Sequence, residues 1–180
     1  MFKAMLKFLK GIVRGIIDLK EETQQLTGDY KVTDTIADKI KKFEGYSDKA
    51  YQDAVGVWTI GYGNTFYEDG SLVKSGDTLT RAEGEKLFRT VLDQFSAKVA
   101  DVIRVDVNQC QFDALVCFTY NIGIGALKKS TLLKKINSNP NNPDIAYEFT
   151  RWVKAGGKTY AGLVKRRREE SDYYFSQNCK

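Results

Sequence analysis

Within sixteen positions the chain places Glu44, Asp53 and Thr59. Eight residues separate the glutamate from the aspartate, and five separate the aspartate from the threonine. Two carboxyls in unlike surroundings can divide acid–base work: one stays protonated as a general acid, the other stays ionised in a wetter place. Cleavage of a glycosidic bond asks for that division, with the ionised group stabilising positive charge at the anomeric carbon or activating water. A hydroxyl such as that of Thr59 can hold a water or a sugar. A glutamate and an aspartate nine apart are commonplace, so the elements around them must decide whether they work together.

Those elements read as follows. Thr35 to Phe43 has a helical pattern, with Ile36, Ile40 and Phe43 on one face and Asp34 or Thr33 able to cap its start. Glu44 then falls in the last turn, ahead of a C-capping Gly45. It is expected against an apolar wall, where burial raises the pKa of a carboxyl. From Ala50 to Phe66 the residues are aromatic, β-branched and glycine-rich, which predicts two or three short antiparallel strands with turns near 53–56 and 61–64. Asp53 is expected at the first turn, exposed and ionised, with Thr59 facing the same cleft from the return strand.

Thr80 and Glu83 predict a capping box for a long helix reaching about Ile103, able to bridge two lobes. Asn108 caps a nearly all-apolar helix through Asn121, ended by Gly123 and Gly125. Ser130 to Asn137 and Asp144 to Lys154 read as short helices, residues 155–158 as a loop, and Tyr160 to Phe175 as the last helix. The fold class is therefore α+β, mainly helical, with a small antiparallel hairpin sheet, two lobes and a cleft between them.

Composition removes whole classes of alternatives. The chain of 180 residues is 42% hydrophobic and 28% charged, ordinary for a globular protein and enough for one domain with an appendage. It contains no histidine, which removes nucleophile systems built on an imidazole base and the common catalytic zinc sites. No metal and no cofactor is expected. Gly61-x-Gly63 continues to Phe66 and there is no P-loop, so the nucleotide-binding patterns fail. A net charge of +5 and a pI of about 9.0 attract polyanions: nucleic acid, anionic lipid or an acidic cell wall. No nucleic-acid module accompanies the charge, and no nucleic-acid partner is expected. Cys110 and Cys117 lie seven apart in a helical run, ~10.5 Å along the axis at ~1.5 Å per residue, beyond disulfide reach. All three cysteines (Cys110, Cys117 and Cys179) are expected to be reduced thiols, in keeping with synthesis in the cytoplasm.

Residues 1–33 read as a separate segment, with the catalytic domain over 34–180. On a helix, Phe2, Met5, Leu6, Leu9, Ile12, Val13, Ile16 and Ile17 share one face, and Lys3, Lys7, Lys10 and Arg14 its flank. Charges break every long apolar run, so neither a membrane span nor a cleavable signal is expected. Three readings stay open: packing on the core or on a second copy, contact of residues 1–20 with an anionic membrane or outer envelope, or an inefficient export signal. A polar linker containing Gly28 follows.

The pattern Glu44, Asp53, Thr59, Ile60, Gly61, Gly63 resembles the active-site signature of the phage-type lysozymes and endolysins of glycoside hydrolase family 24. N-Q-C-Q-F-D-A-L with the following N-I-G resembles that family's core helix, and R-W-V-K-A-G-G-K with G-L-V-K-R-R-R-E-E its closing segment. The similarity runs from about Val32 to Phe175 and is strongest to the endolysins of lambdoid phages. It implies the two-lobed lysozyme-like fold, preceded here by an extra N-terminal amphipathic helix. It also implies hydrolysis of the β-1,4 bond between N-acetylmuramic acid and N-acetylglucosamine in peptidoglycan, with Glu44 as general acid and Asp53 and Thr59 assisting.

Asn121, Tyr62 and Arg166 are taken as substrate-binding. Asn121 has a helix C-cap as its other reading. Arg166 and Arg167 would meet an acidic wall peptide or lie on a solvated helix face, and Trp152 is read as core. Asn64 stands where the family often has histidine, which should remove an ion pair or hydrogen bond near the hairpin. A monomer is expected, held in the host cytoplasm until holin lesions release it to the wall. The rivals are a catalytically silent wall- or membrane-binding protein, a lytic transglycosylase, and a membrane-active antibacterial protein driven by residues 1–20.

Overall fold

The computed structural model describes residues 30–53 and 56–179. The helix expected over residues 1–20 lies outside the described residues. Tyr30, which follows them, stacks on Phe112 with ring centroids 4.7 Å apart. Its hydroxyl donates to the Val107 carbonyl at 2.9 Å.

Helix α1 spans Asp34–Glu44, capped by the Thr33 hydroxyl and ended at Gly45 with φ 71°. Strand β1, Ser47–Gln52, pairs antiparallel with β2, Trp58–Gly61. The return turn closes tightly, because Ile60 and Asn64 exchange both backbone hydrogen bonds at 2.9 Å. Helix α2, Arg81–Ala100, begins with the expected capping box of Thr80 and Glu83. Helix α3, Gln109–Ile122, has a second box that was not foreseen, between Asn108 and Gln111. Helices α4 (Ile124–Lys129), α5 (Thr131–Ser138) and α6 (Asp144–Thr150) follow, then a two-residue hairpin of β3 (Lys154–Ala155) and β4 (Lys158–Thr159), and finally α7, Ala161–Tyr174.

The fold is mainly helical with small antiparallel sheets, as the hydrophobic periodicity implied. Gly123 ends α3 as expected, but Gly125 falls inside the unforeseen short helix α4. It lies beside α3 and α5, so tertiary packing carries a segment too short to nucleate alone. The predicted helix at 144–154 ends at Thr150, and β3 and β4 occupy the segment read as a loop.

Two hydrophobic clusters sit on either side of α2. The larger takes Phe88, Leu92 and Val99 from it, together with α3, Ile36 and Ile40 of α1, and Phe149. The smaller takes Leu87 and Val91 and packs them on Ile60 and Val73 under the hairpin. One helix therefore serves both sides of the cleft. Helix α3 runs through the larger cluster, and α7 packs against it more extensively than any other helix does.

This packing overturns the expectation of three reduced thiols. Cys110, at the start of α3, forms a disulfide with Cys179, their Cα atoms 5.3 Å apart. The sequence separation of 69 hid the partner, which arrives only because α7 returns antiparallel along α3. Cys117 stays a buried free thiol, and burial pushes its pKa well up, the condition of an inert thiol. A disulfide typically stabilises a fold by about 2–4 kcal/mol. Urea denaturation should therefore show Cys179→Ser less stable than the oxidised chain by about that amount, and equal to the chain kept reduced. Equal stability of the variant and the oxidised chain would contradict the bridge.

Candidate active site

Glu44 ends α1, and its carboxylate is held from two directions. Arg166 of α7 reaches it with Nη1 2.6 Å from Oε1. On the other side Gly63, in the tight turn after β2, has φ 77° and comes so close that a Cβ there would lie 2.9 Å from Glu44 Oε2. One carboxylate oxygen is thus committed to a guanidinium, while the other faces the turn of the hairpin.

Asp53 follows β1, half-buried rather than exposed. Its carboxylate Oδ1 accepts the Val57 amide at 2.8 Å, and its backbone N–H donates to the Val57 carbonyl at 2.9 Å. These bonds fix the loop across the end of the hairpin. Thr59 lies on β2, 4% exposed, with its hydroxyl donating to the Val57 carbonyl at 3.1 Å. Glu44, Asp53, Thr59 and Asn121 all line one cleft of about 420 Å³. Residues far apart in sequence are therefore brought together on a single surface.

Tyr51 and Tyr120 line the same cleft and were not foreseen. The signal for Tyr51 was available: it stands two residues before Asp53, on the same face of a strand. Partial burial, and then the charges of Glu44 and Asp53, raise the pKa of its phenol, so it senses both carboxylates. Tyr120 gave no such signal, because a tyrosine in an apolar helix reads as core.

Two expected substrate contacts stand elsewhere. The Tyr62 side chain does not line the cleft. It is 2% exposed, tilted against Tyr46 and Phe88, with its hydroxyl on Glu85 of α2. Burial and that carboxylate push its pKa up to about 12. Arg166 is buried on Glu44 rather than set out towards a wall peptide, and Arg167 is fully buried.

The arginines belong to a network. Arg166 Nε donates to Glu170 Oε1 at 3.0 Å and its Nη2 to the Cys117 carbonyl at 3.2 Å. Arg167 Nη2 donates to Glu170 Oε1 at 3.1 Å and to Asn121 Oδ1 at 3.0 Å. Arg167 Nε lies 3.1 Å from Glu170 Oε2 but out of line for a hydrogen bond, so that contact is electrostatic. Burial would lower the pKa of Arg166; the carboxylates of Glu44 and Glu170 outweigh it and raise the value overall. Asn121 is thus oriented by a buried arginine. The last turn of its helix is closed by Gly123 instead, which answers the C-cap reading. Trp152 packs edge-on to Phe118, centroids 5.7 Å apart, as core.

Asn64 is 3% exposed. Its Nδ2 makes a long contact of 3.5 Å to the Tyr120 hydroxyl, and its Oδ1 is buried without a hydrogen-bond partner. Among the described residues no cluster of acidic or cysteine side chains could hold a metal ion, and no helix is long and apolar enough to cross a membrane.

The chain is similar to known proteins in sequence and in fold. The profile of the phage lysozyme family matches residues 41–170. The endolysin of Bacillus phage B103 is 44% identical over 143 residues, covering 78% of this chain and 52% of that protein. The chain therefore spans about half the length of that relative. The solved endolysin from Escherichia coli O157:H7 phage FAHEc1 superimposes with a TM-score of 0.74 at 38% identity, covering 84% of this chain and 97% of that one. The muramidase domain of SpmX from Asticaccaulis excentricus superimposes with a TM-score of 0.70 at 32% identity, covering 82% and 99%.

The approach of the hairpin to Glu44 can be tested by two glycines. Gly76 and Gly63 both have positive φ, 87° and 77°, but a Cβ at Gly76 meets nothing within 4 Å. Each alanine should cost about 1–2 kcal/mol in backbone strain. Gly63→Ala should cost more, because it also presses on Glu44. Equal losses for the two variants in chemical denaturation would contradict the close approach.

Proposed function

The chain belongs to the phage lysozyme family, and from that premise we propose that it is an endolysin, a muramidase that hydrolyses the β-1,4 bond between N-acetylmuramic acid and N-acetylglucosamine in peptidoglycan. The observation that carries the reading is the convergence of Glu44, Asp53 and Thr59 on one cleft.

Each residue has a role that its surroundings support. Glu44 is the general acid: Arg166 fixes Oε1, and the remaining oxygen delivers a proton to the glycosidic oxygen as the bond breaks. Asp53, held by Val57 at the end of the hairpin, stabilises the positive charge that develops at the anomeric carbon or helps activate water. The Thr59 hydroxyl, anchored to the Val57 carbonyl, presents its lone pairs to a water or a sugar hydroxyl. Asn121, oriented by Arg167, offers its amide to the glycan. Residue for residue, this follows what the family resemblance implies. No residue is asked to hold a cofactor.

Residues 34–180 make up the catalytic domain in this reading, and the preceding basic amphipathic segment is a delivery element for anionic membrane or envelope. The enzyme acts as a monomer. It waits in the host cytoplasm and reaches the wall through holin lesions. A lytic transglycosylase is the nearest rival. An aspartate and a threonine beside the acid favour water as the nucleophile over an intramolecular attack by the sugar.

Product chemistry separates the two. Muropeptides released from purified, outer-membrane-free peptidoglycan should carry reducing ends, and a chain lacking residues 1–29 should release them at a comparable rate. Anhydro sugars in place of reducing ends would replace hydrolysis by transglycosylation. Loss of release in the truncated chain would move the first segment from delivery into the fold.

A further inference from the structure

Tyr120 stands where the two sides of the molecule meet. It packs against both hydrophobic clusters, with its ring 5.8 Å from Phe88 and 5.3 Å from Phe95 of α2. Its hydroxyl leaves the larger cluster and enters the wall of the cleft. There it donates to the Tyr62 carbonyl at 2.9 Å and meets Asn64 Nδ2 at 3.5 Å. These two partners bracket Gly63, the residue whose backbone closes on Glu44 Oε2. From the other side the Tyr62 hydroxyl is tied to Glu85 of α2. The turn is therefore pinned at one residue by its carbonyl to α3 and by its side chain to α2.

We propose that Tyr120 is a positioning residue for the reaction: its hydroxyl clamps the 61–64 turn to α3 and so sets the separation between the Glu44 carboxyl and the hairpin that carries Asp53 and Thr59. The inference rests on Glu44 being the acid. Inside the turn, the paired backbone bonds of Ile60 and Asn64 hold its shape but tie it to nothing outside the hairpin. The Tyr120 hydroxyl is its polar link to the helix that carries Asn121. Burial, and then the charge of Glu44, raise the phenol pKa, so the hydroxyl keeps its proton and stays a donor throughout the working range. Reacting groups displaced by about 1 Å can lose on the order of 100-fold in rate, and a loosened turn moves two of the three catalytic residues relative to the third.

A purely structural tyrosine would affect stability alone, so the test compares rate with stability. kcat and KM on solubilised peptidoglycan, and the thermal midpoint, are measured for the wild type, Tyr120→Phe, Asn64→Ala, Ser130→Ala and Glu44→Gln. Ser130→Ala removes the cap of α5, which does not line the cleft, and serves as a destabilised control with wild-type kcat. Tyr120→Phe keeps the ring, and its kcat should fall roughly 10- to 100-fold with KM little changed. Hydrogen exchange at the Gly63 and Asn64 amides should quicken. Asn64→Ala withdraws the weaker contact to the same oxygen and should lose about three-fold in kcat, in keeping with its greater length. Wild-type kcat in Tyr120→Phe, with only the midpoint lowered, overturns the proposal. Should Tyr120→Phe fail to fold, wild-type kcat in Asn64→Ala overturns it instead. An active Glu44→Gln refutes the acid assignment, whereas an inactive Glu44→Gln beside a fully active Tyr120→Phe refutes only the clamp.

Discussion

The ion pair between Glu44 and Arg166 is the contact around which this fold is arranged. It joins the end of the first described helix to the last helix, 122 residues later, and both partners are largely withdrawn from water, at 18% and 6% side-chain exposure. Burying a pair of charges costs several kcal/mol per ion, repaid only where geometry and further hydrogen bonds are good. Here Arg166 is also held by Glu170 and the Cys117 carbonyl, and Phe43 lies 4.8 Å from its guanidinium. An arrangement this demanding requires α7 to lie close along α3, and the same packing brings Cys179 to Cys110 and lets Arg167 reach Asn121. The buried ion pair, the disulfide and the placement of the Asn121 amide are consequences of one helix pair.

On the opposite side, the hairpin is brought to Glu44 by shape rather than charge. Positive φ at Gly63 and the missing Cβ let the backbone approach the carboxylate. The small cluster of Ile60, Val73, Leu87 and Val91 fixes the sheet to α2, and α2 also enters the larger cluster. The proposed catalytic geometry therefore depends on one long helix shared by two cores, with Phe88 and Phe95 both packed on Tyr120 at the junction. In the proposed mechanism, a general acid held in this way needs no loop closure to be formed.

What could be read from the sequence was local. The caps at Thr33, Thr80 and Asn108, the Gly45 terminus and the hairpin turn all follow from short-range chemistry, and the structure has them. Glu44, Asp53 and Thr59 were legible because their spacing lies within one helix–hairpin unit. What was not legible depended on contacts between remote segments. Arg166 and Arg167 read as a charged surface run because the buried Glu170 and the distant Glu44 that satisfy them are invisible to periodicity. Tyr62 was expected to meet substrate, but packing against Tyr46 and Phe88 and the Glu85 carboxylate turn it inward. Cys179 had no sequence neighbour to suggest a partner.

The most direct measurement is to incubate purified sacculi with the wild type and with Glu44→Gln, sediment them, and analyse both the bound protein and the soluble muropeptides. Glutamine keeps the shape of the side chain and can still accept from Arg166, but its amide is far too weak an acid to protonate the leaving oxygen. The variant should therefore sediment with sacculi as the wild type does and release no muropeptides. Release at a rate near that of the wild type would contradict the assignment of Glu44, and with it the role given to the ion pair that holds it.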